Sequence, residues 1–269
     1  MDFKKPQDWR YRKARTDLID GLMAFDVWGL LGWHDVRQRY RRSMIGPFWL
    51  TINSAVFVGA LAIIYSQIMQ HGFKEYICYL AAGYIVWTYI ATTLNESCTV
   101  FIANDYIIKQ IKIPLTIHAA RMVFRNIITL LHSLPVAIVV FLFMGKLHYL
   151  GLIAIPFALV LLWLNGIWIS VVFGIIAARF RDFPLIITNI VQTAFFVTPV
   201  MWMPSAVKQY GWIITVNPFS YFVEIVRNPL VYGDPCWVAW GIVVAITTIG
   251  LLIAQFMLMK YRKKLSYWI

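Results

Sequence analysis

The feature that most constrains this chain is the way its basic residues alternate around long apolar runs. About six stretches of roughly 20 or more residues are apolar enough to cross a bilayer. Every second connection between them carries Lys and Arg, and the others are almost bare. The alternation predicts an all-α, polytopic membrane protein with both termini in the cytoplasm.

The spans are expected near 47–69, 76–101, 118–144, 150–177, 183–203 and 237–259. The N-terminal segment holds ten basic residues, among them Arg37, Arg39, Arg41 and Arg42. Lys109 and Lys112 follow span two, and Arg121 and Arg125 open span three. Arg179 and Arg181 follow span four, and Lys260, Arg262, Lys263 and Lys264 follow span six. Of 24 basic residues only Lys74, Lys146, Lys208 and Arg227 are left for the outer side.

Composition supports the membrane reading. The chain is 61% hydrophobic with 13% charged residues, more apolar surface than a soluble domain of this length can bury. Its net charge of +12 invites a nucleic-acid partner, but the charge sits in juxtamembrane blocks, where it marks the inner face and attracts anionic lipid. The polar first 45 or so residues carry no signal-peptide core, so the N-terminus reads as uncleaved. Cys78, Cys98 and Cys236 lack metal-ligand spacing. Cys78 and Cys236 both fall near the outer face, where a bridge is possible and separate thiols are favoured.

The expectation is one transmembrane domain over 1–269. Residues 1–46 form a cytoplasmic segment, 47–203 spans one to five, 204–236 an outer segment, 237–259 span six and 260–269 a cytoplasmic tail. In the first segment Leu18, Leu22, Phe25, Trp33 and Val36 approximate one helical face, with Asp17, Asp20 and Arg37 off it. This predicts an amphipathic helix on the inner leaflet or against a protein partner. In the outer segment, Asn217-Pro218 and Asn228-Pro229 each pair an N-cap residue with a proline suited to the first helical turn. Two short helices should start there. The first, with Phe219, Tyr221, Phe222, Ile225 and Val226, is apolar enough to re-enter the membrane against protein. Glu224 and Arg227 are spaced to pair on it.

Polar and aromatic residues inside the spans are the candidate substrate path: Asn53, Tyr84, Trp87, Tyr89, Thr188, Asn189, Gln192, Thr193 and Phe196. Hydroxyls and amides in hydrocarbon must face protein or water, and with aromatic rings they suit sugars. Helix–helix hydrogen bonds and an aromatic belt would account for many of them individually. Glu96, the one acid in a span, falls near the inner interface and reads as a partner for an Arg rather than a proton site. There is no phosphate-cradling Gly-rich motif, no intramembrane carboxylate pair and no internal repeat. The chain holds no catalytic or metal site, so energy for active transport must come from a partner.

Four blocks in order resemble the membrane subunit of polysaccharide-exporting ABC transporters. They are the run from His34 to Trp49 with its Arg-Tyr-Arg-Arg and Gly46-Pro47-Phe48-Trp49, then Lys112-Ile113-Pro114-Leu115, then Ala178-Arg179-Phe180-Arg181-Asp182. The last is Asn217-Pro218-Phe219 with Val223-Glu224-Ile225-Val226-Arg227. Thr198-Pro199-Val200-Met201-Trp202 and Arg227-Asn228-Pro229-Leu230 look nearest to lipopolysaccharide O-antigen exporters, with capsule and teichoic acid exporters close by.

The resemblance implies a homodimer with two separate nucleotide-binding subunits, which would hold ATP and Mg, and a polyprenyl-pyrophosphate-linked glycan as substrate. Asp105, Tyr106, Lys109 and Lys112, with the helix near Leu18–Trp33, would meet the ATPase. The six arginines at 37, 39, 41, 42, 121 and 125 suit a pyrophosphate head, or equally anionic lipid. Phe219, Tyr221, Phe222, Glu224 and Arg227 would form an outer gate. The rivals are efflux of small amphiphiles, an ion-coupled flippase, and a glycan-transferring membrane enzyme; the last needs a catalytic cluster that the sequence lacks.

Overall fold

A computed structural model of the chain describes residues 17–41, 43–46, 48–68, 72–111, 113–145, 148–205 and 211–269. Among these residues the protein is helical throughout, without a strand. Residues 17–23 form α1 and Phe25–Tyr40 form α2. Then come α3 (Phe48–Ile68), α4 (Phe73–Ser97), a 3₁₀ turn (Ile102–Asn104), α5 (Asp105–Gln110) and α6 (Leu115–Met144). The order closes with α7 (Tyr149–Arg179), α8 (Phe183–Val197), α9 (Gly211–Val216), α10 (Pro218–Val231) and α11 (Trp237–Trp268).

Five helices, α3, α4, α6, α7 and α11, are long and apolar enough to cross a membrane. The fifth expected span is shorter: α8 has 15 residues, about 22 Å at 1.5 Å per residue, against roughly 30 Å of hydrocarbon. It stops at Thr198-Pro199 because the residue before a proline is pushed out of the helical region; Thr198 is extended, at ψ 137°. The helices α6, α7 and α11 have 30, 31 and 32 residues and overshoot the bilayer. In α6 and α11 the surplus carries Arg121 and Arg125, and Lys260 to Lys264, at what is here called the basic end.

Packing centres on α4, which is buried on most of its circumference, while α3 is largely exposed. Small residues on α7 let neighbours come close: a Cβ on Gly166 would lie 2.7 Å from Val123, and one on Gly174 2.7 Å from Phe101. Near the proline inside α6 a neighbouring helix also serves the backbone. One turn before Pro135, Thr51 of α3 donates to the His132 carbonyl at 2.6 Å.

Three expectations are corrected here. The N-terminal apolar face is not continuous, because the chain breaks at Ala24 between α1 and α2. The face of α2 that packs on α6 is Trp28, Gly32 and Val36, with Trp28 edge-on to Phe124 and Gly32 against the same ring. Phe25 and Trp33 stay exposed, at 63% and 51%. In the second correction, Pro229 does not start a helix but lies within α10. Ile225, Val226, Arg227, Leu230 and Val231 are buried around it, and that packing holds the helix through the proline. The segment 260–269, expected as a tail, continues α11 as helix to Trp268.

Candidate functional site

A half-buried stripe on α4 joins two built regions, one at each end of the bundle. Tyr84, Thr88, Ala91, Thr92 and Asn95 recur at helical spacing along it, and Glu96 lies at its basic end. Phe57 of α3 stacks on Tyr84 with centroids 4.3 Å apart. Thr188 of α8 donates to Asn95 Oδ1 at 2.9 Å. The Thr88 hydroxyl donates to the Tyr84 carbonyl of its own helix at 2.8 Å.

At the basic end the stripe meets an ion cluster. Arg121 binds Asp35 of α2 through both fork positions, at 2.7 and 2.6 Å. Arg125 reaches Glu96 at 2.6 Å and Asp35 at 3.5 Å, and Arg39 reaches Glu96 at 3.1 Å. Glu96 is thus the arginine partner that its position implied. Beside the cluster lies a polar cavity of about 260 Å³, lined also by Asn104 and the buried His118. Arg121 and Arg125 are engaged by carboxylates. Arg37, Arg39 and Arg41 are exposed, and Arg42 lies outside the described residues.

At the other end the non-helical run Thr198–Met203 is held by side chains from distant helices. Tyr79 donates to the Pro199 carbonyl at 2.8 Å, and Tyr76 to that of Met201 at 2.6 Å. The buried Arg227 of α10 donates to Pro199 at 2.5 Å and stacks over the Tyr79 ring at 4.0 Å. Irregular backbone at membrane depth needs such partners. Asn217 accepts from the Phe219 amide at 3.0 Å, as an N-cap should, and donates to Thr198 Oγ1 at 2.9 Å. The expected Glu224–Arg227 ion pair is not formed; Arg227 turns inward, and Glu224 lies 4.0 Å from Cys236 Sγ. Cys78 and Cys236 are not bridged to each other. Sequence reading missed Tyr76 and Tyr79 as backbone partners because their acceptors lie some 120 residues away.

The remaining candidates separate by exposure. Asn53 on α3, and Asn189, Gln192, Thr193 and Phe196 on α8, point out of the protomer. Asn189 and Thr193 line a groove of about 620 Å³ with Trp212, Asn217 and Phe219. Trp87 is buried, between Phe195 and Phe219, and Tyr89 donates to the Leu162 carbonyl inside the core at 3.0 Å. Tyr89 thus joins α4 to α7. Phe222 is buried, while Phe219 and Tyr221 are half-buried. At the basic end α5 presents Tyr106, 69% exposed, beside an Asp105–Lys109 pair at 3.5 Å; Lys112 lies outside the described residues.

The fold is that of a multi-pass helical membrane protein with a built region at each end. Residues 27–231 match the family model described as ABC-2 type transporter, and the chain belongs to that family. Membership makes it the membrane subunit of an ABC transporter, working with an ATPase subunit. Curated relatives similar to this chain are named O-antigen export system permease protein RfbA. One from Klebsiella pneumoniae is 27% identical over 88% of this chain and 93% of its own length. The one from Myxococcus xanthus is 18% identical over 68% of this chain and 72% of its own.

Proposed function

We propose that two copies of this chain, with two ATPase subunits, export a polyprenyl-pyrophosphate-linked polysaccharide of the O-antigen class across the inner membrane from the cytoplasm. ATP and Mg are held by the partner. The observation that carries this reading is the α4 stripe. It is a half-buried run of hydroxyls, an amide and an aromatic ring along α4, flanked by α3 and α8, whose outer faces are largely exposed in one protomer. A second copy facing it would enclose a polar channel, which a small apolar cargo does not need. The names and coverage of the relatives point the same way.

In this reading the basic end is cytoplasmic. The exposed Arg37 and Arg41, with Arg42, meet the pyrophosphate head or anionic lipid, and Arg39 lies beside them tied to Glu96. Arg121 and Arg125 position α2 through Asp35. The helix α5 carries Asp105, Tyr106 and Lys109 to the ATPase, and α10 gates the outer end. The test is ATP hydrolysis by the reconstituted complex in liposomes. Polyprenyl-linked glycan should stimulate it, and Thr88→Leu/Asn95→Leu should lower that stimulation without loss of the ATPase subunit. Stimulation by small amphiphiles but not by glycan would replace this reading with efflux.

A further inference from the structure

The basic end holds a second arrangement that the transport reading does not use. Arg262, in the last turns of α11, sits 2.9 Å from the Asp17 carboxylate of α1. The Asp17 side chain is fully buried. Its other oxygen accepts from the Thr116 amide at 3.3 Å and hydroxyl at 3.2 Å, at the start of α6. Six residues on, Trp268 stacks with Tyr261 and faces Arg179 at the end of α7, 5.7 Å from the ring centroid. Leu265 between them is fully buried. The helix α11 also packs beside α5, and Ile108 of α5 joins the apolar cluster around Leu265. Segments from α1, α5 and α7 thus meet one stretch that composition marks only as a basic tail, and α6 is tied in through Asp17.

We propose that residues 260–269 are a positioning strut for the motor-docking face, fixing α5 and the α7–α8 connection relative to α1 and α6. The inference rests on the reading that α5 meets the ATPase. Three observations support a positioning role over a lipid anchor. The side chains at 262, 265 and 268 face protein, in a helix whose Lys263, Lys264 and Tyr267 remain exposed. A tail that merely tracked lipid headgroups would have no reason to bury an acid from another segment against its arginine, since an acid buried without a partner is costly. Exposed apolar side chains also cluster beyond the spans here, with Tyr106 on α5, Ile111 after it and Phe180 after α7. At the end of a bundle that is a surface for protein, and the family supplies an ATPase subunit to cover it.

The experiment uses the reconstituted complex of this chain with its ATPase subunit, and reads co-purification and glycan exported per ATP. Arg262→Glu should lower export per ATP by about fivefold or more, a typical coupling loss, while the chain still inserts and stays monodisperse. Arg262→Lys, which keeps the charge, should restore most of it. Should Arg262→Glu aggregate, Trp268→Ala decides, with an expected loss of about threefold in the same ratio. Parental co-purification and export per ATP in Arg262→Glu, or in Trp268→Ala where the former cannot be purified, overturns the strut. Asp105→Lys is run alongside: if it too leaves association unchanged, α5 does not face the motor and the proposal falls with that reading. If Asp105→Lys abolishes association while the strut variants do nothing, only the strut is refuted.

Discussion

At the scale of single residues, the protein spends its charged and aromatic side chains on holding backbone and neighbouring helices. Asp17 is the clearest case. Burial raises its pKa above the usual carboxylate range, opposed by the Arg262 charge and the Thr116 hydrogen bonds. An acid with a raised folded pKa binds protons more tightly folded than unfolded, so it lowers stability as pH rises through that interval. Asp17→Asn should therefore gain stability relative to the parent as pH is raised from below 4, in paired thermal melts in detergent; a constant difference would contradict this. Arg262→Gln strands the buried acid and should cost about 3 kcal/mol, and adding Asp17→Asn should recover most of the loss. Arg227→Met leaves the Pro199 carbonyl unpaired and removes the stack on Tyr79, at a cost of about 2–4 kcal/mol in the same melts. That Glu96 would find an arginine was legible from its lone position near an interface. The destinations of Tyr76, Tyr79 and Arg227 were not, because a carbonyl acceptor leaves no mark in residue type or period.

At the scale of elements, apolar runs and helix signals located the long helices within a few residues, except that α11 runs on from the expected 259 to Trp268. Asn217-Pro218 starts α10 with the expected cap. Asn228-Pro229 carries the same signal and was overridden by packing, since tertiary burial outweighs one missing amide near the end of a helix. The interface helix was read from apolar spacing alone, which cannot register the break at Ala24 or the use of Gly32 as a contact against Phe124. Close helix crossings give a direct test. A Cβ on Gly250 of α11 would lie 2.3 Å from the Trp168 ring of α7, so Gly250→Ala should force the helices apart. The expected cost is about 1–3 kcal/mol, visible as a lower melting temperature, while Gly241→Ala on the same helix, where nothing lies within 4 Å, should be neutral or stabilising.

At the scale of the whole molecule, the charge alternation and the four motif blocks pointed to an export permease, and the family match agrees. The substrate-path residues were the least legible part. A polar residue in a span reads alike whether it closes a helix pair, as Tyr89 does, or lies open, as Asn189 does. Only the packing separates them. The central claim, export of finished lipid-linked polysaccharide, is tested most directly by depleting this chain from cells and sizing the polyprenyl-linked glycan left inside. The account predicts long polymer in the cytoplasm with none at the surface. Normal surface glycan and no internal build-up, in cells without a second exporter, would contradict it.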